Sequence, residues 1–131
     1  MLTAVTGINW GDEGKGRVVD LLSDHADYVV RYQGGNNAGH TVVTDKGKFV
    51  LNLLPCGILH PEVVCVLGNG MVIDPDHLRH EIEMMRYMNV KISPENLKIS
   101  EKATVCGEAM AISLVSGSSV NLPLPFNSVR F

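Results

Sequence analysis

Aromatic side chains are scarce in this 131-residue chain, at 5% of its length. No platform of aromatics interleaves with Lys and Arg, which argues against binding of single-stranded nucleic acid. An excess of one charge is also lacking. Eleven Lys and Arg against fourteen Asp and Glu leave a net charge of −3, so no global field draws nucleic acid or a membrane surface. Cysteines number three, Cys56, Cys65 and Cys106, with no close pair and no C-x-x-C spacing. They read as buried thiols of a reducing, cytoplasmic compartment, not as a metal cluster or a disulfide framework. No apolar run approaches the ~20 residues of a membrane span. No basic segment followed by a long apolar stretch marks a signal peptide at the N-terminus. What remains is the length of one domain, 45% hydrophobic, with enough apolar content for a core.

Against this plain background two glycine-rich runs stand out. The first is Trp10-Gly11-Asp12-Glu13-Gly14-Lys15-Gly16, the second Gly34-Gly35-Asn36-Asn37-Ala38-Gly39-His40-Thr41. The first follows an apolar segment and precedes one with helical spacing, which predicts a strand, a tight loop and a helix start. Glycine lets backbone approach a ligand closely, and a helix N-terminus offers N–H groups and partial positive charge to a phosphate. Such a cradle would carry its own carboxylate, Asp12, and its own cation, Lys15.

The pattern along the chain is α/β. Leu2–Ile8 reads as a buried strand and Lys15–Ser23 as a helix with Val18, Val19, Leu21 and Leu22 inward. Tyr28–Tyr32 is a second β-rich run. Thr41–Thr44 and Phe49–Leu54 flank Asp45-Lys46-Gly47-Lys48, which reads as a hairpin turn. Val63–Leu67 is a short strand ending at Gly68-Asn69-Gly70. Asp74-Pro75 supplies an N-cap acid and a first-turn proline for a helix to about Asn89, with Leu78, Ile82 and Met85 as its apolar stripe. Leu97–Ser100 is a last strand. From about Gly107 charge nearly vanishes, leaving Glu108 and Arg130. This tail reads as irregular, apart from a short helix over 108–115.

The first loop is near a P-loop without being one. That pattern needs Gly, four residues, then Gly-Lys-Ser/Thr. Gly14-Lys15 fits, but Asn9 holds the first glycine position and Gly16 replaces the hydroxyl that would reach magnesium. Asp12 is then the obvious hard oxygen donor. Glu13 can equally be an acid well placed at a helix N-terminus. In the second loop Asn36 and Asn37 are amides able to bond a base or a phosphate, and His40 is placed as a general acid. The other histidines read as ordinary: His25 at a surface helix end, His60 in a turn before Pro61. His77 and His80 lie three apart without a third ligand for zinc. Met84, Met85 and Met88 read as core filler.

Asn9 to Gly16 taken with Val30 to Val42 resembles the N-terminal region of the adenylosuccinate synthetases. Leu53-Leu54-Pro55, Gly57-Ile58, Leu67 to Gly70, Val72 to Pro75 and Leu97 to Ser100 continue the similarity in register, over roughly residues 3 to 105. Two long motifs at the right separation make it specific. The resemblance implies a GTP- and magnesium-dependent ligase of purine synthesis that joins IMP and L-aspartate into adenylosuccinate, releasing GDP and phosphate. It implies that Asp12 removes the N1 proton of IMP, making O6 nucleophilic toward the γ-phosphate of GTP, and that His40 is the acid stabilising the transferring phosphoryl group. Lys15 joins them as a catalytic cation. Aspartate then displaces phosphate from the 6-phosphoryl intermediate. Asp12 and the backbone carbonyl of Gly39 would hold Mg2+. Gly11, Asp12, Glu13, Gly14, Lys15, Gly16, Arg17, Gly39, His40 and Thr41 would line GTP. Asp12, Glu13, Gly14, Lys15, Asn37, Ala38, Gly39 and His40 would face IMP. Arg17 stands where lysine is commoner and keeps the charge. Phosphoryl transfer needs positioning and charge neutralisation more than covalent help, which suits these residue types.

The family's chain is several times longer, and its guanine-recognition motif, aspartate-binding loop and later arginines have no counterpart in this sequence. The chain therefore reads as a truncated, fragment-like N-terminal portion (1–105, nucleotide- and IMP-binding) with a divergent tail (106–131), and is expected to have little or no ligase activity alone. The alternatives are a simple GTP hydrolase needing only the two loops, and a non-catalytic nucleotide-binding fragment. The expected fold is α/β, with a mixed, largely parallel central sheet, flanking helices and a P-loop-like phosphate loop, incomplete relative to the family. The active face should lie beyond the carboxyl ends of the strands. The expected partners are small molecules, IMP, GTP and L-aspartate, with no nucleic acid and no membrane. The family's homodimer is not expected to form properly, and an unpaired sheet edge favours self-association.

Overall fold

The computed structural model describes residues 1–8, 14–37, 39–44 and 47–106. Helix α1 (Lys15–Ser23) leads into strand β1 (Tyr28–Gly34), a hairpin of β2 (His40–Thr44) and β3 (Gly47–Leu51), and a 3-10 turn, Cys56–Leu59. Strand β4 (Val64–Ile73), helix α2 (Pro75–Tyr87), β5 (Leu97–Ile99) and β6 (Thr104–Val105) follow. β1, β4 and β5 form a parallel sheet in that order, with β6 pairing parallel to the far end of β4, while β2 and β3 form a separate antiparallel pair. The α/β architecture with a largely parallel sheet is as the sequence suggests.

β4 is the central strand. Cys65, Val66 and Leu67 are all buried, the continuous apolar run of a strand covered on both faces. The core gathers Leu51, Leu53, Leu54 and Ile58 from the segment after β3, Cys65, Leu67 and Met71 from β4, Leu78, Ile82 and Met85 from α2, and Leu97 from β5. The α2 stripe at positions 78, 82 and 85 is therefore the inward face. Its start is built as the sequence implies: the Asp74 carboxylate accepts from the N–H groups of Asp76 (3.0 Å) and His77 (3.2 Å), with Pro75 next. This cap satisfies two donors that the helix itself cannot.

Several expectations need correction. Leu2–Ile8 forms no strand, and its residues are exposed apart from half-buried Val5. An apolar run becomes a strand only where a neighbour takes its backbone hydrogen bonds, and none of the described strands pairs with it. Helix α1 has the expected bounds but a different inner face. Val18, Leu21 and Leu22 are 46%, 64% and 47% exposed, whereas Gly16, Val19, Asp20 and Ser23 turn inward to varying degree. The helix packs on the 3-10 turn and β2, not across the sheet, so the i, i+3, i+4, i+7 set beginning at Gly16 is the packed one. Of the three methionines, Met85 is in the core but Met84 and Met88 are largely exposed.

β4 also runs on through Gly68-Asn69-Gly70 instead of ending there. Arg31 pairs with Leu67 but Gln33 with Gly70: β4 takes three steps where β1 takes two, so the glycine segment carries a bulge. A Cβ on Gly70 would stand 2.7 Å from the backbone oxygen of Tyr32. The chain order after residue 106, including the expected helix over 108–115, lies outside the described residues, as does the hairpin tip, Asp45 and Lys46. Among the described residues no helix is long and apolar enough to cross a membrane.

Gly70 therefore tests the β1–β4 junction. Because the obstructing atom is backbone, Gly70→Ala is expected to lower unfolding free energy by about 1–3 kcal/mol, read from urea melts. A wild-type midpoint would show that the bulge tolerates a side chain.

Candidate functional site

Gly14, immediately before α1, has φ 73° and ψ 14°, a left-handed conformation that favours glycine. Its carbonyl accepts from Arg17 N at 2.7 Å and Val18 N at 3.1 Å, which turns the chain from the loop into the helix. The second loop meets this turn directly. A Cβ on Gly16 would lie 2.7 Å from Cδ2 and 3.0 Å from Cγ of His40. The imidazole thus rests on bare backbone, and the absence of a side chain at position 16 is what admits it.

Around this contact lies a cavity of about 640 Å³. Gly14, Lys15, Gly16 and Arg17 border it from the helix start, and Gly39, His40 and Thr41 from the second loop. Lys15 has interactions of its own within the fold. Asn37 is exposed and does not line the cavity. Gly11, Asp12, Glu13 and Ala38 lie outside the described residues. The structure thus brings together seven of the residues singled out in the two loops.

The wall also contains residues that the sequence reading did not single out. Arg31, from β1, lines the cavity. It donates to the carbonyl of Asn52 and, at 3.2 Å, to that of Gly35. Burial lowers the Arg31 pKa from its ordinary value, while the Glu81 carboxylate opposes that shift. A lone arginine in the apolar run Tyr28-Val29-Val30-Arg31-Tyr32 is the sequence signal for it, since a buried charge must find partners. Cys56 sits beneath the helix start, its Sγ 3.5 Å from the carbonyl of Gly16, and burial pushes its thiol up to about 11. Cys65 is raised to about 12, again by burial. Both are therefore packing thiols, not nucleophiles. His60 is also more than a turn residue: Nε2 lies 3.2 Å from Asp20 and Nδ1 3.0 Å from Asp24, fastening α1 to the end of the 3-10 turn.

His40 is the most exacting group. Its Nε2 is fully buried and has no hydrogen-bond partner among the described residues. Its pKa is lowered, first by burial and then by Arg31, against smaller upward contributions from Glu81 and Asp20. The neutral ring is thereby favoured, and a neutral imidazole still offers one N–H. A buried orphan of this kind is what an absent acceptor would satisfy. As for magnesium, no group of three or more His, Cys, Asp or Glu among the described residues could hold a metal. The loop chemistry nevertheless suits Mg2+, which typically takes one or two carboxylates and substrate phosphates and keeps its remaining waters. Gly39, whose backbone carbonyl the resemblance names as a ligand, borders the cavity.

The lowered pKa has a sign that can be checked. Between the folded value and the unfolded value near 6.5, the unfolded chain binds more protons, so stability rises with pH. The His40 contribution is expected to be complete above about 6.5 and lost as pH falls toward the folded pKa. A ring titration by NMR should give a midpoint below 6.5, and a midpoint above it contradicts the burial.

Known proteins resemble this chain over most of its length. The profile of the adenylosuccinate synthetase family matches residues 4–112. Adenylosuccinate synthetase of Caldanaerobacter subterraneus is 51% identical over 104 residues, 79% of this chain and 24% of that protein. The enzyme of Carboxydothermus hydrogenoformans is 58% identical over 97 residues, 74% of this chain and 22% of that one. Among solved structures, fully ligated adenylosuccinate synthetase from Plasmodium falciparum superposes with a TM-score of 0.69 at 41% identity, covering 84% of this chain and 25% of that one. Succinoaminodeoxyadenylate synthetase of cyanophage S-2L, bound to dGMP and to dATP as an energy donor, superposes at 0.59 with 28% identity, covering 82% and 30%. The chain spans about a quarter of the length of the curated relatives it matches. With more than half its length matched by the family profile, the chain belongs to the adenylosuccinate synthetase family.

Proposed function

We propose that these residues form the phosphate- and purine-facing part of a GTP-dependent ligase that joins IMP and L-aspartate. One observation carries the reading: the seating of His40 on Gly16, which brings two glycine loops from separate parts of the sequence onto one cavity. The N-terminal turn of α1 contributes the positive end of its dipole there. Lys15 and Arg17 add cationic charge for the GTP phosphates, together with backbone from Gly39 to Thr41. The Nε2 of His40, which has no partner among the described residues, donates to the transferring phosphoryl oxygen as charge builds there. Asp12 takes the N1 proton of IMP, and Glu13 and Ala38 complete the purine side, with Asn37 reaching it from outside the cavity wall. Mg2+, held by Asp12 and the Gly39 carbonyl, would neutralise charge on the GTP phosphates. The setting is expected to be the cytoplasm.

Since the relatives are about three times as long, the 131 residues are proposed to bind nucleotide without completing the ligation. Calorimetry with GTP and magnesium should give a saturable heat. A coupled assay with IMP, GTP and aspartate should give no adenylosuccinate, and GTP should not be hydrolysed. Lys15→Ala should weaken GTP binding by roughly tenfold to a hundredfold, the loss of a charge-assisted hydrogen bond. Robust turnover, or binding indifferent to Lys15, would refute this reading.

A further inference from the structure

Glu81 is a carboxylate in the core. It is 3% exposed, on the same face of α2 as Leu78, Ile82 and Met85. An acid there is costly unless its oxygens are satisfied. They are satisfied by three backbone donors in succession: Asn52 N at 2.9 Å, Leu53 N at 2.9 Å and Leu54 N at 3.2 Å. The His77 ring, one turn earlier, has its Nε2 4.0 Å from the carboxylate, and the Glu81 charge also acts on Arg31 and His40. Glu81 does not line the cavity, so it does not touch the proposed ligands.

The segment it holds does reach the cavity. Asn52 Nδ2 donates to the carbonyl of Asn36 at 3.1 Å, and a Cβ on Gly39 would stand 2.8 Å from that same nitrogen. The Asn52 carbonyl accepts from Arg31, whose other nitrogen reaches Gly35. Across the hairpin, Leu51 pairs with His40. Both ends of the second glycine loop are therefore tied to the strap Leu51 to Leu54, and that strap is tied to α2 by one carboxylate.

We propose that Glu81 is a positioning residue for the second glycine loop, setting Gly39 and His40 against the helix start through Asn52. This role rests on reading the two loops as a nucleotide site. Removing the acceptor frees three amides at once, a larger local change than losing any single loop contact. A carboxamide replaces it only in part: its oxygen can keep Asn52 N and Leu54 N, which share one carboxylate oxygen, while its nitrogen faces the Leu53 N–H.

The test compares the wild-type chain with Glu81→Gln, Asn52→Ala and Ile82→Val. Ile82→Val is a control on the same buried helix face. Amide exchange, the Asn52 and Arg31 side-chain NMR signals, and GTP–magnesium affinity are measured for each. Glu81→Gln is expected to speed exchange at Leu53, the amide that faces the carboxamide nitrogen, by about tenfold or more and to weaken GTP binding by about tenfold. Amides of the β4–β5 pair, Cys65 and Ser100, should be unmoved. Asn52→Ala keeps the three amide bonds, so it should weaken binding without speeding exchange at positions 53 and 54. Ile82→Val should do neither. Equal acceleration in the strap and in β4–β5, the same loss of binding in Ile82→Val, or unchanged affinity in both polar variants overturns the proposal. Should Glu81→Gln not fold, Asn52→Ala decides, and undiminished affinity in it overturns the proposal. If the wild-type chain binds no GTP, the nucleotide reading falls. The Asn52 and Arg31 signals in Glu81→Gln then judge the positioning role by themselves: their persistence overturns it.

Discussion

The contact between the imidazole of His40 and the bare backbone of Gly16 is the constraint on which the site depends. It joins the helix start to the hairpin, two pieces with no common sheet. Everything nearby is arranged to permit it. Gly14 takes the left-handed turn that launches α1, Cys56 supports the Gly16 carbonyl from beneath, and His60 grips Asp20 and Asp24 further along the helix. A methyl group at position 16 would meet ring carbon at a separation that real Cβ atoms do not tolerate, so steric economy, not a strong bond, sets the geometry.

Electrostatics then shapes what the contact can do. Arg31 is held by carbonyl oxygens, which orient its charge without cancelling it. Burial first, and that charge second, lower the pKa of the neighbouring imidazole and so favour its neutral form. A neutral ring with a vacant nitrogen costs less to bury than a cation, and it remains able to donate when a more basic acceptor arrives. Glu81 balances Arg31 at longer range while its own oxygens are occupied by backbone amides. The polar groups of the site thus form one chain of partners, running from α2 to the cavity wall.

Much of this was legible in the residues. The N-cap Asp74 and the stripe of Leu78, Ile82 and Met85 follow from local rules that involve only neighbours one helical turn apart, and the structure has them as read. The hairpin likewise needs only its own two arms. Longer-range matters were not legible. The inner face of α1 depends on which surface it meets, and the apolar alternatives Val18, Leu21 and Leu22 lost to a set containing glycine and serine. The apolar run Leu2–Ile8 has the composition of a strand but no pairing partner among the described strands. Arg31 and Glu81 each carried a hint, a charge amid apolar neighbours, though the hint gives no partner. The family likeness, by contrast, was written in two contiguous motifs and required no folding argument.

The extra residue in β4 has a consequence for chain length. Side chains on a strand alternate between faces, and beyond Gly68-Asn69-Gly70 the alternation resumes with Met71 and Ile73 buried and Val72 exposed. Shortening the chain by one position at the bulge would restore even spacing with β1 while reversing that alternation. Val72 would turn inward and two large apolar side chains would turn to water. The irregular step thus keeps two halves of one strand in phase with a single core, so the length of this glycine segment is under tighter constraint than its composition suggests.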